Sequence, residues 1–107
     1  MKLIVAITGA SGVNLSLKFI DNLPVDIEAH VVFSKSAKLA LKLERNDEVS
    51  KLQKENITIY KDKTISAAIA SGSFGADAMI ILPCSMNTLA KCSVGISDSL
   101  ITRAFSV

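Results

Sequence analysis

Three short segments of this sequence combine the small polar residues that bind anions well in proteins. They are Thr8–Gly12 (TGASG), Ser34–Ser36 (SKS) and Pro83–Thr88 (PCSMNT). Glycine lets a ligand approach the backbone closely, and hydroxyl groups both donate and accept hydrogen bonds. Where such a segment begins a helix, the first N–H groups and the helix dipole favour a negative charge. The segments predict a site for a phosphorylated ligand, the alternative being that their serines and Thr88 only cap helices.

Each segment lies between a predicted strand and a predicted helix. Aliphatic or alternating residues predict strands over 2–7, 27–33, 57–60 and 79–82. Helical spacing of apolar residues predicts helices over 13–23 and 34–43, near 64–71, from about residue 85 and over 97–107, while the polar residues 44–56 form a loop or a solvated extension. The alternation predicts an α/β fold, a Rossmann-like (flavodoxin-like) open parallel sheet flanked by helices. In such sheets ligands bind beyond the carboxyl ends of the strands, where all three segments lie.

The glycine spacing disfavours two common classes of nucleotide site. Residues 9–12 read GASG instead of GxGxxG, and the second strand ends in Phe33, Ser34 and Lys35, without the acidic residue that would hold a ribose of NAD. The GxxxxGK[ST] loop that cradles nucleoside triphosphates is absent from the sequence. A mononucleotide such as FMN remains, although spacing alone does not select it.

Composition limits the other classes of function. The 107 residues suit a single domain, and 50% hydrophobic residues are enough for a core. A net charge of +2 and five aromatic residues (one Tyr and four Phe) argue against a nucleic-acid partner or a charged membrane surface. No stretch of the sequence approaches the roughly 20 apolar residues of a membrane span, and two cysteines are too few for a disulfide framework. The expected location is the cytoplasm.

Longer motifs point to a family. The chain resembles the UbiX/Pad-type flavin prenyltransferases, part of a flavoprotein superfamily that includes the flavin-dependent cysteine decarboxylases. The resemblance rests on collinear stretches over essentially the whole chain: residues 7–12 (ITGASG), 68–74 (AIASGSF), 81–89 (ILPCSMNTL) and 98–104 (DSLITRA). Members are commonly almost twice this length. We therefore expect residues 1–107 to form a single flavin-binding domain, truncated at its C-terminal end.

The resemblance implies an activity and its residues. Family members transfer a dimethylallyl group from dimethylallyl phosphate to N5 and C6 of reduced FMN without a metal, making the prenylated FMN used by a partner UbiD-type decarboxylase. Ser11 matches a serine that relays protons, and Glu44 matches a glutamate near the leaving phosphate, although Glu44 alone is better explained as a solvated charge at a helix end. The resemblance implies these FMN-binding residues: Gly9, Ala10, Ser11, Ser34, Ser85, Met86, Asn87 and Thr88. It also implies a homo-oligomer.

Two other functions compete with this one. Pro83–Thr88 is also similar to the PASANT motif of FMN-dependent cysteine decarboxylases, but those enzymes need a histidine after a strand, and His30 falls within one. The third possibility is a flavin-binding module without turnover. The sequence also departs from the prenyltransferase pattern: residues 103–107 read RAFSV, without the family's aspartate, and the residues that hold the prenyl phosphate fall beyond Val107.

Other reactive side chains receive structural interpretations. Cys84 has no histidine near it in the sequence and is expected to be a small buried residue. His30 alternates away from the apolar face of its strand and is expected to face solvent. Lys35, Lys38 and Lys42 are expected to form a solvated helix face, and Met86 is explained equally well by flavin contact or by simple packing.

Overall fold

Four parallel strands form one sheet in the order β3–β2–β1–β4. A computed structural model describes residues 1–9, 13–44, 55–64 and 67–107, with the backbone alone for residues 13–14 and 40–44. The strands are β1 (Lys2–Ile7), β2 (Glu28–Phe33), β3 (Ile57–Lys61) and β4 (Ala78–Ile81). Each lies within one residue of its predicted position. The predicted open parallel α/β sheet is confirmed.

Helices follow three of the strands. They are α1 (Val13–Asp21), α2 (Lys35–Glu44), α3 (Met86–Val94) and α4 (Leu100–Ser106). Among the described residues, no helix is both long and apolar enough to cross a membrane. The helix predicted near residues 64–71 is wrong in its described part, where a 3₁₀ turn, Ala68–Ala70, replaces it and a second, Gly72–Phe74, follows. The Ser71 hydroxyl accepts the Ser73 N–H at 3.3 Å, a local bond that competes with an α-helical ladder.

Apolar residues cover both faces of the sheet, which explains the continuous aliphatic run of β1. On one face α1 and α2 pack on alternate residues of β1 and β2, forming a core of Leu3, Val5, Ile7, Leu17, Ile20, Ala29, Val31, Phe33, Ala37 and Ile57. On the other face a second cluster joins β1 and β2 to the first 3₁₀ turn and α4, through Ile4, Ala6, Val32, Ile69, Leu100, Ile101 and Ala104. The sheet is therefore the middle of three layers.

The prediction that His30 faces solvent is wrong. His30 is 7% exposed because it points to the second covered face, where its ring meets the Phe74 ring edge-on at 4.7 Å. Its Nδ1 lies 2.8 Å from the Tyr60 hydroxyl and its Nε2 lies 2.7 Å from Glu28 Oε2. The hydrogen bond to His30 lowers the pKa of Glu28, and burial raises the pKa of Tyr60. His30 is thus a hydrogen-bonded structural residue.

The strand order creates a switch point between β1 and β4. The chain adds β2 and β3 on one side of β1 and then crosses to place β4 on the other side. At such a point the loops after the two central strands diverge and leave a crevice at the carboxyl edge of the sheet. Here that crevice lies between the segment after Ile7 and the segment after Ile81.

Candidate functional site

Thr8 joins the two loops that border the crevice. Its side chain is 1% exposed, and its Oγ1 donates to the Pro83 carbonyl at 2.7 Å. The same Oγ1 accepts the Ser85 N–H at 2.7 Å, while the Thr8 N–H donates to the Pro83 carbonyl at 3.0 Å. These three bonds hold the start of the first segment against the start of the third.

Gly9 brings the same two loops into close approach. Its φ of +80° lies in the left-handed region that glycine adopts without steric cost. A Cβ placed on Gly9 would lie 3.6 Å from the Cβ of Ser85, so the first and third segments are in contact here. Ala10 and Ser11, the next two predicted site residues, lie outside the described residues.

The third segment begins α3 with a serine cap. Ser85 Oγ accepts the Thr88 N–H at 3.1 Å and donates to Thr88 Oγ1 at 2.9 Å. Asn87 is exposed, and Met86, the residue after the Ser85 cap, is 81% exposed. The packing explanation for Met86 is therefore wrong within the described residues of this chain, and the flavin contact implied by the resemblance stays a prediction.

Ser34 places the second segment at the same edge. Its N–H donates to the carbonyl of Ile7, the last residue of β1, at 2.9 Å. Its Oγ accepts the Ala37 N–H at 3.1 Å and so caps α2, the capping role predicted for it. Glu44 is the last residue of α2, but its side chain lies outside the part of the chain that the structure describes. The structure thus brings together Gly9, Ser34 and the third segment, and leaves Ala10, Ser11 and the Glu44 carboxyl undescribed.

Two buried hydroxyls, those of Thr8 and Ser16, support the crevice. Thr8 lies within the predicted first segment, whereas Ser16 was missed in the sequence. Ser16 is fully buried on α1, and its Oγ donates to the Leu82 carbonyl. Together with Thr8 it fixes successive carbonyls, those of Leu82 and Pro83, which flank a cis peptide bond. The one signal that the sequence gives for Ser16 is a polar residue at a position where the helix pattern calls for an apolar one.

The two cysteines take different positions. Cys84 is exposed, so the prediction of a small buried residue is wrong. It lies three residues after the end of β4, in the turn that leads to the Ser85 cap, and outside the two apolar clusters. Cys92 is partly buried in α3, and that burial raises the pKa of its thiol. Within the described ranges no group of three or more His, Cys, Asp or Glu could hold a metal ion.

The donor set at this edge suits an anion. Two helices, α2 and α3, begin here, and neither carries an acidic residue in its first turn. The first N–H groups of a helix have no partner within the helix, and its N-terminus carries a partial positive charge. Hydroxyls of Ser34, Ser85 and Thr88 stand beside these N–H groups. These hydroxyls and helix starts lie at the carboxyl edge of the sheet, where the three small polar segments were predicted to meet.

Comparison with known proteins identifies the family. A family model described as Flavoprotein matches residues 1–107. The chain belongs to the Flavoprotein family. The flavin prenyltransferase UbiX of Thermoplasma acidophilum is 39% identical over 107 residues, which cover 100% of this chain and 59% of that protein.

Two solved structures share the fold of this chain. AnUbiX in complex with FMN and dimethylallyl pyrophosphate has a TM-score of 0.86 at 37% identity, over 97% of this chain and 56% of that one. A dodecameric FMN-dependent UbiX-like decarboxylase from Escherichia coli O157:H7 also has a TM-score of 0.86, at 38% identity, over 99% and 58% of the two chains. The resemblance to UbiX-type flavin prenyltransferases and the flavodoxin-like fold are thus confirmed. The chain spans less than two thirds of the length of these relatives.

Proposed function

We propose that this protein binds FMN at the carboxyl edge of its sheet and acts as a flavin prenyltransferase. The observation that carries the proposal is the meeting of Gly9, Ser34 and Ser85 at the switch point, with Thr8 joining the first and third segments. The same segments carry the family motifs. The relative AnUbiX was solved with FMN and dimethylallyl pyrophosphate, which are the two classes of ligand that the proposed reaction requires.

The hydroxyl groups retain the hydrogens needed to hold a phosphate. Ser34 Oγ uses a lone pair to accept the Ala37 N–H, so its O–H hydrogen can donate to a phosphate oxygen. Ser85 donates to Thr88 Oγ1, and the Thr88 hydrogen, which has no acceptor among the described residues, can donate to a ligand. Met86 offers a polarizable apolar side chain that suits an aromatic ring such as the flavin. The donor set therefore fits FMN.

When bound, reduced FMN would supply the nucleophilic N5 and C6 atoms that take up the dimethylallyl group, as the C–O bond of dimethylallyl phosphate breaks and phosphate leaves. We assign Glu44, the last residue of α2, to return a proton to the departing phosphate, and Ser11 to relay protons. Both assignments come from the family resemblance and concern side chains outside the described residues. Removal of the Glu44 carboxyl in Glu44→Gln is expected to lower turnover by about 10²- to 10⁴-fold while FMN affinity changes little.

The decisive experiment incubates the protein with reduced FMN and dimethylallyl phosphate and measures the mass of the released flavin. We expect a flavin heavier by one dimethylallyl unit. Ser93→Ala, which removes an exposed hydroxyl from α3 away from the crevice, serves as the control and should behave as wild type. An unchanged flavin mass at saturating substrate would disprove the transferase activity.

The two alternatives differ from this proposal in their products. A cysteine decarboxylase would need a histidine at the carboxyl edge, but His30 pairs laterally with Ile4 within the sheet and is held by Glu28 and Tyr60. That observation favours the prenyltransferase. A non-catalytic module would retain yellow FMN through gel filtration and give no prenylated flavin. Mass measurement of both the flavin and a cysteine-containing peptide, offered as a parallel substrate, therefore separates the prenyltransferase, the decarboxylase and the non-catalytic module.

The partners proposed for the protein are a second copy of itself and the decarboxylase that takes up prenylated FMN. Helix α3 buries none of its residues, and it exposes Met86, Leu89 and Val94. Assembly with other copies would cover this apolar surface, and one relative is dodecameric. Light scattering of the purified protein tests this, since a monomer at micromolar concentration would contradict it. We also propose a cytoplasmic location and no nucleic-acid or membrane partner.

A further inference from the structure

A cluster of lysines surrounds a cavity of about 480 Å³ beside the β2–β3 end of the sheet. The cavity is lined by Phe33, Lys35, Lys38, Lys61, Asp62 and Lys63. Phe33 pairs with Lys61 in the parallel register of β2 and β3, so the carboxyl ends of these two strands form its base. We call this cavity the lysine pocket. It lies on the β3 side of β2, whereas the crevice lies between β1 and β4, and Ser34, between Phe33 and Lys35, marks the border between them.

The lysine pocket concentrates positive charge. Four lysines and one aspartate give its lining a net charge of +3, whereas the whole chain carries +2. The one carboxylate is already engaged, because Asp62 Oδ1 accepts the Ile101 N–H at 2.9 Å and the Asp62 carbonyl accepts the Leu100 N–H at 2.8 Å. Asp62 therefore anchors the start of α4. None of the four ammonium groups has an ion pair or hydrogen bond to the parts of the chain that the structure describes.

Two of these lysines interact unfavourably with the dipole of the helix on which they lie. Lys35 is the first residue of α2 and Lys38 lies one turn later, while the first turn contains no acidic residue. Cations destabilise the N-terminus of a helix because its partial charge is positive. Lys61 and Lys63 on the facing strand end add further repulsion. An arrangement that lowers stability in the absence of an anion is the kind found at ligand sites.

We propose that the lysine pocket binds the phosphate or diphosphate group of a small molecule, at a site distinct from the crevice. Lysine is a compact, strongly hydrated charge that binds phosphate as a point charge, and three or four such groups around one concavity match a diphosphate. Phe33 is buried beneath the lysines, so the pocket offers no exposed ring for stacking a base. A concave site of this size favours a small anion over an acidic protein surface. This inference does not rest on the proposed function.

The test uses inorganic pyrophosphate as the probe, titrated by isothermal calorimetry and by amide chemical shifts of Lys61 and Lys63. Lys61→Gln/Lys63→Gln removes two charges from the pocket without altering α2. The matched control, Lys18→Gln/Arg103→Gln, removes two charges from the exposed surface of α1 and α4 instead. We expect the pocket variant to bind pyrophosphate about tenfold or more weakly than wild type, and the control to bind within about twofold.

Three results would overturn the proposal. They are equal pyrophosphate affinity in all three proteins, no saturable binding up to about 10 mM, and tighter binding of a poly-glutamate peptide than of pyrophosphate by wild type, which would indicate a protein partner. Circular dichroism confirms that the variants are folded. A parallel FMN titration keeps the two proposals separate: intact FMN binding with no pyrophosphate site overturns this inference alone, and the reverse result overturns the FMN site alone.

Discussion

Replacement of Thr8 by valine isolates the hydroxyl that joins the two loops. Valine keeps the shape and the branched Cβ of threonine, so packing at this buried position changes little. The Pro83 carbonyl keeps the Thr8 N–H at 3.0 Å, but the Ser85 N–H loses its acceptor. A buried donor without a partner costs about 1–3 kcal/mol. At about 2 kcal/mol and an unfolding entropy of about 2.1 cal/mol/K per residue, the Tm of 107 residues falls by roughly 9 °C.

The assay for Thr8→Val is thermal and urea unfolding, followed by FMN titration. Thr58→Val is the matched control, since Thr58 is exposed on β3, and its stability should stay within about 0.5 kcal/mol of wild type. FMN should bind more weakly to Thr8→Val, because the Ser85 N–H no longer fixes the cap of α3. If Thr8→Val unfolds at the same temperature and urea concentration as Thr58→Val, the view that Thr8 organises the crevice is refuted.

Three further substitutions test the site and the network around His30. Gly9→Ala should cost about 1–2 kcal/mol because φ is +80°, while Gly72→Ala, which has open space and no positive φ, should cost less; equal urea midpoints would contradict this. Ser34→Ala should lose about 1 kcal/mol of cap and weaken FMN binding, whereas Ser34→Asp should keep the cap and still lose FMN through charge repulsion, as measured by fluorescence titration. Glu28→Gln should be less stable than wild type above the ordinary pKa of 4.5, because the folded-state pKa of Glu28 is lowered. That difference should vanish as pH falls through the lowered pKa, and a constant difference in urea midpoint across pH would argue against it.

Local patterns in the sequence were enough to place the strands. The aliphatic run of Lys2–Ile7 reads as a strand buried on both faces, and the structure covers it on both faces. The burial of His30 could not be predicted from the local pattern, since alternation identifies the apolar face of a strand and does not show what covers its other face. That cover comes from Phe74 and from α4, which are distant in the sequence. The 3₁₀ turns at Ala68–Ala70 and Gly72–Phe74 escaped prediction because side-chain bonds from Ser71 outweigh the apolar spacing.

The candidate site also has one part that the sequence predicts and one part that it does not. Its three segments could be predicted because each follows a strand, and parallel strands place their carboxyl ends at one edge. The supporting bonds could not be predicted, since Thr8 reaches Pro83 over 75 residues and Ser16 reaches Leu82 over 66. The lysine pocket likewise depends on contacts between residues distant in the sequence, which could not be predicted. Lys35 and Lys38 are exposed, as predicted for a solvated helix face, but only the β2–β3 register brings Lys61 beside them.

Capping a helix and binding a ligand are not competing explanations for the serines of this site. A hydroxyl has one hydrogen and two lone pairs, and a cap uses a single lone pair. At Ser34 the cap leaves the hydroxyl hydrogen able to donate to a phosphate. At Ser85 the hydroxyl hydrogen is donated to Thr88 Oγ1, so the Thr88 hydrogen is the one that can donate to a phosphate. The cap also holds each hydroxyl beside the first N–H groups of its helix, where an anion is stabilised. An alanine substitution therefore removes stability and affinity together, and only a replacement that keeps the cap while changing the charge can separate them.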